Sequence, residues 1–257
     1  MKIAISGKGG VGKTTIMALL AREFTRMGKE VLIIDADPSP HMAQTIGIRD
    51  MSRAKPIADM TRLLVERSGK TKGSPFYTIN PQVNDLLHDF MIEQDGLKLM
   101  VLGAIQTAEG GCACPENTVL RRMLTKLLLS PSQIVLLDME AGVEHLGRGT
   151  IAGVDLLLII VNPSRSSIRT AEKIKKLAED VQIPRISFVA NLVNDAEDRQ
   201  FLLDTLGSEP IVFFPDSKAI RTAERSGTPI TTIKTGNLDA PEQLAKRILE
   251  EEKVSEG

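Results

Sequence analysis

Residues Gly7-Lys8-Gly9-Gly10-Val11-Gly12-Lys13-Thr14-Thr15 follow the apolar run Ile3-Ala4-Ile5 with only Ser6 between. Their spacing satisfies G-x-x-x-x-G-K-[ST], the pattern of a loop that cradles phosphate groups. Glycines at 7, 9, 10 and 12 reach backbone angles closed to other residues, so successive N–H groups can converge on phosphate oxygens. A helix beginning at Lys13 presents its positive end to the same anion. Lys13 is expected to reach the β- and γ-phosphates, and the Thr14 hydroxyl to ligate Mg²⁺. Gly9, Gly10, Val11, Gly12 and Thr15 complete the cradle.

Two further groups of residues add chemistry. Asp35-Ala36-Asp37-Pro38 and Asp138-Met139-Glu140-Ala141-Gly142 each close an apolar run. A carboxylate at the end of a strand beside Mg²⁺ and a γ-phosphate can orient or deprotonate the attacking water. Asp37 is assigned that role, with Asp35 near the metal shell. Asp138 occupies the position that holds Mg²⁺ directly or through water, and the Gly142 N–H is placed to sense the γ-phosphate. The second group is Cys112-Ala113-Cys114, the only cysteines in the chain. They precede a helix, where a thiol ionises more readily, and thiolates bind soft metals such as Ni²⁺ or Zn²⁺. Two sulfurs half fill a four-ligand site, so a second copy of the chain related by a two-fold axis is expected to supply the others. A buried small-residue pair or a redox dithiol is the alternative for these cysteines. His145 reads as a structural hydrogen-bonder, and His41 and His88 as bystanders.

These residues need a scaffold that brings strand ends together. Short apolar runs alternate with amphipathic stretches, which predicts an α/β, doubly wound, mostly parallel sheet of seven or eight strands with helices on both faces. Strands are expected at Lys2–Ser6, Val31–Asp35, Lys98–Leu102, Ile134–Asp138, Leu156–Val161, Ile186–Ala190 and Ile211–Phe214, with Phe76–Ile79 a weaker candidate. Helices are expected at Lys13–Met27, Asn117–Leu129, Ser167–Asp180, Ala196–Leu206, Ser217–Glu224 and Pro241–Lys253. The stretch from Ser52 to Gly96 reads as irregular helices and loops. No repeat or low-complexity linker divides residues 1–257, so a single domain is expected, with ligands at the carboxyl ends of the strands.

Composition narrows the classes. The chain has 257 residues, a formal net charge of −1, one tyrosine and no tryptophan. That balance argues against a dedicated nucleic-acid binder, which needs a basic face or stacking platforms. No apolar stretch reaches the length of a membrane span. Met1-Lys2-Ile3 enters the first strand at once, leaving no room for a signal peptide, and a cytoplasmic location is expected.

The doubled-lysine loop, the Asp-x-Asp-Pro segment and the downstream Asp with Gly resemble the deviant Walker A ATPases over essentially the whole chain. That group includes the nitrogenase iron protein, septum-positioning and plasmid-partition ATPases, and metal-cluster assembly ATPases. The resemblance implies that Lys8 crosses a homodimer interface to the partner's ATP and neutralises charge there. It also implies adenine recognition by Asn191 and by Phe214-Pro215-Asp216. The chain reads Asn191-Leu192-Val193-Asn194 where a guanine-specific N-K-x-D would stand, so ATP and ADP are expected rather than guanine nucleotides. The C-x-C pair together with Asp138 through Thr150 is similar to the nickel-insertion ATPases of carbon monoxide dehydrogenase. This implies a metallochaperone with carbon monoxide dehydrogenase, or the related acetyl-CoA synthase, as client. Three readings compete with it, of which an iron-protein-like reductase is disfavoured because that family's two cluster ligands are well separated in sequence. Another is an iron–sulfur cluster carrier. The third is a partition-type positioning protein, against which the acidic tail Glu250-Glu251-Glu252 counts.

Overall fold

The computed structural model describes residues 1–37, 39–69, 78, 81–103, 115–128, 133–139, 154–233 and 239–255. Eight strands form one sheet: β1 (Lys2–Gly7), β2 (Val31–Asp35), β3 (Ile92–Gln94), β4 (Leu97–Val101), β5 (Ile134–Asp138), β6 (Leu156–Val161), β7 (Ile186–Val193) and β8 (Val212–Pro215). Their spatial order is β3-β4-β2-β5-β1-β6-β7-β8. Every pairing is parallel except β3 with β4. The central strands read as unbroken apolar runs because both of their faces are covered, as a parallel sheet requires.

The period-2 alternation of side chains divides the core in two. Ile3, Ile5 and Ile33 face one side with α1 (Lys13–Arg26), α2 (Met42–Ile46), α8 (Lys218–Ser226) and α9 (Ala240–Ser255). Ala4, Leu32 and Ile34 face the other with α3 (Thr61–Arg67), α4 (Asn84–Asp89), α5 (Pro115–Leu128), α6 (Arg165–Asp180) and α7 (Ala196–Leu206). Helix α1 sinks Ile16, Met17, Leu19, Leu20 and Phe24 completely. At roughly 1.5–3 kcal/mol for each large side chain, this burial anchors the helix whose first turn must meet phosphate.

The seven expected strands are all present, with ends shifted by three residues at most. The difference lies in Ser52–Gly96, which contains β3. Gln94 and Leu97 close a hairpin across Asp95 and Gly96, both with positive φ (52° and 81°). Asp-Gly is the residue pair that such a two-residue turn favours. That signal was available in the sequence, but the three-residue strand beside it is too short to show alternation. The candidate strand Phe76–Ile79 lies outside the described residues apart from Thr78.

Candidate functional site: a phosphate loop among strand ends

The carboxyl ends of β1, β2, β5 and β7 meet at one edge of the sheet. Ile5 pairs with Asp138, and Asp138 pairs with Asp35. Two carboxylates on adjacent parallel strands therefore face the loop that leaves β1. Gly7 turns out of β1 at φ 152°, where a Cβ would stand 2.5 Å from the Ile160 carbonyl. At the other end of the loop, Gly12 takes φ 91° and caps α1 with no side-chain bond to its amides. The first-turn N–H groups of α1 are thus open to an anion.

Asp138 is 1% exposed. Its Oδ2 accepts from the Thr14 hydroxyl at 2.9 Å, while Oδ1 is buried with no hydrogen-bond partner among the described residues. Burial raises its pKa to about 7, and the facing Asp35 carboxylate adds to the rise; the Thr14 bond and the Lys13 charge oppose it. Burial also raises Asp35 to about 6, although the Met42 and Asp37 amides pull it down. An orphaned carboxylate oxygen next to a threonine hydroxyl is a hard, oxygen-only donor set, which fits Mg²⁺.

Asp35 stands opposite Asp138 on the neighbouring strand, beside the oxygens that fit Mg²⁺. Its two oxygens accept from the backbone N–H groups of Asp37 (3.2 Å) and Met42 (3.1 Å). It therefore holds the turn between β2 and α2 and sets where Asp37 stands. Asp37 is half-buried, and its Oδ1 accepts from the Ser39 N–H at 2.7 Å. Lys8 is exposed and donates to the Ser166 hydroxyl at 2.8 Å, at the start of α6.

On the far side of the loop lies a cavity of about 240 Å³, lined by Gly10, Gly12, Thr15, Asn191, Pro215 and Asp216 among others. The structure thus gathers the expected adenine residues beside the phosphate loop. Asn191 is 8% exposed and donates from Nδ2 to the Val11 carbonyl at 2.7 Å. A register shift between Ala190 and Val193, with Leu192 at φ 60°, turns β7 so that Asn191 faces the loop. Asp216 is ion-paired with Arg221, and Glu224 accepts from the Thr15 hydroxyl at 2.7 Å. Sequence reasoning missed Arg221 and Glu224. Glu224 lies 209 residues from Thr15, and no local pattern marks it.

Among the described residues no three or more His, Cys, Asp or Glu side chains gather as a metal site of their own, and no helix is long and apolar enough to cross a membrane. Cys112, Cys114, Glu140, Gly142 and His145 lie outside the described residues.

A parallel sheet whose first strand turns through a glycine loop into an uncapped helix, with a buried aspartate one strand away, defines a P-loop ATPase. Residues 2–230 match the CobQ/CobB/MinD/ParA nucleotide-binding domain, and the chain belongs to that family. It is 39% identical over 255 residues to the carbon monoxide dehydrogenase accessory protein CooC of Rhodospirillum rubrum, covering 97% of each chain. It is also 39% identical over 254 residues to an uncharacterized ATP-binding protein of Methanocaldococcus jannaschii, covering 96% of this chain and 95% of that one. Among solved structures, MinD in the MinC:MinD complex of Aquifex aeolicus superimposes with a TM-score of 0.69. It covers 97% of this chain and 96% of its own at 22% identity. MinD of Pyrococcus horikoshii, solved with Mg-ADP, gives 0.68 at 20% identity and covers 96% and 95%. At those identities the likeness establishes the fold.

Proposed function

We propose that this ATPase is a metallochaperone that uses ATP hydrolysis to deliver nickel to a carbon monoxide dehydrogenase-type client, or to the related acetyl-CoA synthase. The observation that carries the reading is a C-x-C pair in a chain 39% identical to CooC across 97% of both lengths. Cys112 and Cys114 from two chains of a homodimer hold one Ni²⁺, or Zn²⁺ in its place, as cargo. The chain acts in the cytoplasm as a single domain and needs neither nucleic acid nor membrane.

In the hydrolytic cycle, the α1 amides and Lys13 grip the phosphates, and Thr14 with Asp138 holds Mg²⁺, which screens phosphate charge when bound. Asp37 accepts the proton of the attacking water, and the water oxygen bonds to the γ-phosphorus as the bond to ADP breaks. Lys8 of one chain leaves Ser166 and neutralises charge on the ATP of its partner. Asn191, Pro215 and Asp216 receive the adenine, and Gly142 reports loss of the γ-phosphate. The cavity beside Gly12 and the half-buried carboxylate of Asp37 support these roles.

Equilibrium dialysis of the full chain, purified anaerobically, tests the cargo site. One Ni²⁺ per two chains is expected, with tight binding lost in Cys112→Ser and in Cys114→Ser. One tight metal per chain would sink the shared site. Stoichiometric iron and acid-labile sulfide would favour a cluster carrier instead.

A further inference from the structure

Asn191 makes a contact that base recognition does not require. Its side-chain N–H holds the Val11 carbonyl at 2.7 Å, joining the end of β7 to the phosphate loop across 180 residues of sequence. In a planar trans peptide the carbonyl and the following N–H point to opposite sides. Fixing the Val11 oxygen toward Asn191 therefore turns the Gly12 N–H away from it. That amide sits immediately before Lys13, where α1 begins.

Three further observations show that the contact is built into the fold. Gly12 has φ 91°, and a Cβ there would lie 2.4 Å from Asn191 Nδ2, so the asparagine occupies the space that only a glycine leaves open. Leu192 accepts a left-handed φ of 60°, a conformation unfavourable for a non-glycine residue. The register of β7 against β8 also shifts between Ala190 and Val193. Such irregularities re-aim a side chain next to a functional site and persist when the surroundings compensate.

We propose that Asn191 is a positioning residue for polyphosphate binding: by holding the Val11 carbonyl it sets the direction of the Gly12 N–H, whatever base the ligand carries. The shape of the phosphate loop then depends on a residue of the base pocket, and the two halves of the nucleotide site form one mechanical unit. The proposal is independent of the metal cargo.

A ligand without a base separates this role from adenine recognition. Magnesium tripolyphosphate and Mg-ATP are each titrated calorimetrically into wild type and Asn191→Ala. Loss of one hydrogen bond predicts a roughly three- to tenfold weaker tripolyphosphate affinity in the variant, with ATP weakened at least as much. Tripolyphosphate affinity within twofold of wild type would overturn the proposal; a fall for ATP alone would leave Asn191 a base contact only. Asn191→Leu, which keeps the side-chain volume over Gly12 but has no donor, gives the same reading if the alanine variant unfolds. Thermal unfolding of each variant without ligand excludes a general loss of structure.

Discussion

Replacing Asp138 by asparagine should stabilise the ligand-free protein while abolishing its chemistry. The carboxyl is 1% exposed, faces Asp35 on the neighbouring strand and has a pKa raised from 3.8 to about 7. The unfolded chain ionises near 3.8, so between that pH and about 7 the folded state holds the extra proton. Folding stability therefore falls as pH rises through that window, and the full cost of the buried charge is present above it. At 1.36 kcal/mol per pKa unit the cost is on the order of 4 kcal/mol. Asp35 shares the repulsion, so we assign about 2–4 kcal/mol to the Asp138→Asn change. Asparagine is neutral at every pH and can still accept from Thr14. The assay is thermal unfolding in chelator without nucleotide, at pH 5.5 and pH 8.5. At pH 8.5 the variant should melt roughly 5–10 °C above wild type. At pH 5.5 the gap should narrow, because wild-type Asp138 is then protonated. ATP hydrolysis should fall at least 100-fold, an order of magnitude set by the loss of electrostatic stabilisation of the transferring phosphoryl group. A variant less stable than wild type at pH 8.5 would refute the reasoning, since Asp138 would then be ionised at no cost to the fold.

Lys13→Ala should lose ATP hydrolysis, measured by phosphate release, with an unchanged melting temperature in the absence of ligand, because Lys13 is half-buried and outside both core clusters. Asp37→Asn should bind ATP within a fewfold of wild type by calorimetry but turn over about 100-fold or more slowly; normal turnover would remove Asp37 from the chemistry. Lys8→Ala should bind ATP normally, while its turnover no longer rises with protein concentration. A concentration dependence equal to that of wild type would place Lys8 outside any interface.

Much of the scaffold was legible because parallel strands buried on both faces appear as contiguous apolar runs. Leu156–Val161 and Val31–Asp35 need no partner information to be found. The phosphate loop was legible for a different reason: its chemistry is local, and nine consecutive residues carry it. Contacts between distant segments were not. The Thr14–Asp138 bond joins residues 124 apart, and only the sheet order, with β5 between β1 and β2, brings them together. Asp35 shows the limit most directly. From sequence it reads only as a carboxylate near the metal shell, with Asp37 given the attacking water. In the fold its oxygens are committed to the Asp37 and Met42 amides, and only Asp37 keeps a freer carboxylate. The register shift at Ala190–Val193 was also hidden, because Leu192 is an ordinary strand residue by propensity and nothing local marks its positive φ.

The site is assembled from features that are each unfavourable without a ligand. Helix α1 starts at a left-handed glycine with no side chain satisfying its amides. Asp138 has a buried oxygen without a partner among the described residues, and it faces a second buried carboxylate. Leu192 sits in a conformation that costs energy. A phosphate group would satisfy the amides and a cation the carboxylate, so each cost would become affinity for the bound ligand. The surrounding sheet can sustain these costs because its central strands are almost wholly buried, with β2, β5 and β6 covered along their full length. Stability is therefore concentrated in strands that do no chemistry, while their ends carry the strain. A ligand that relieves several such costs at once must bind as a unit. The Asn191–Val11 bond is the physical link between the cavity beside Gly12 and the phosphate loop.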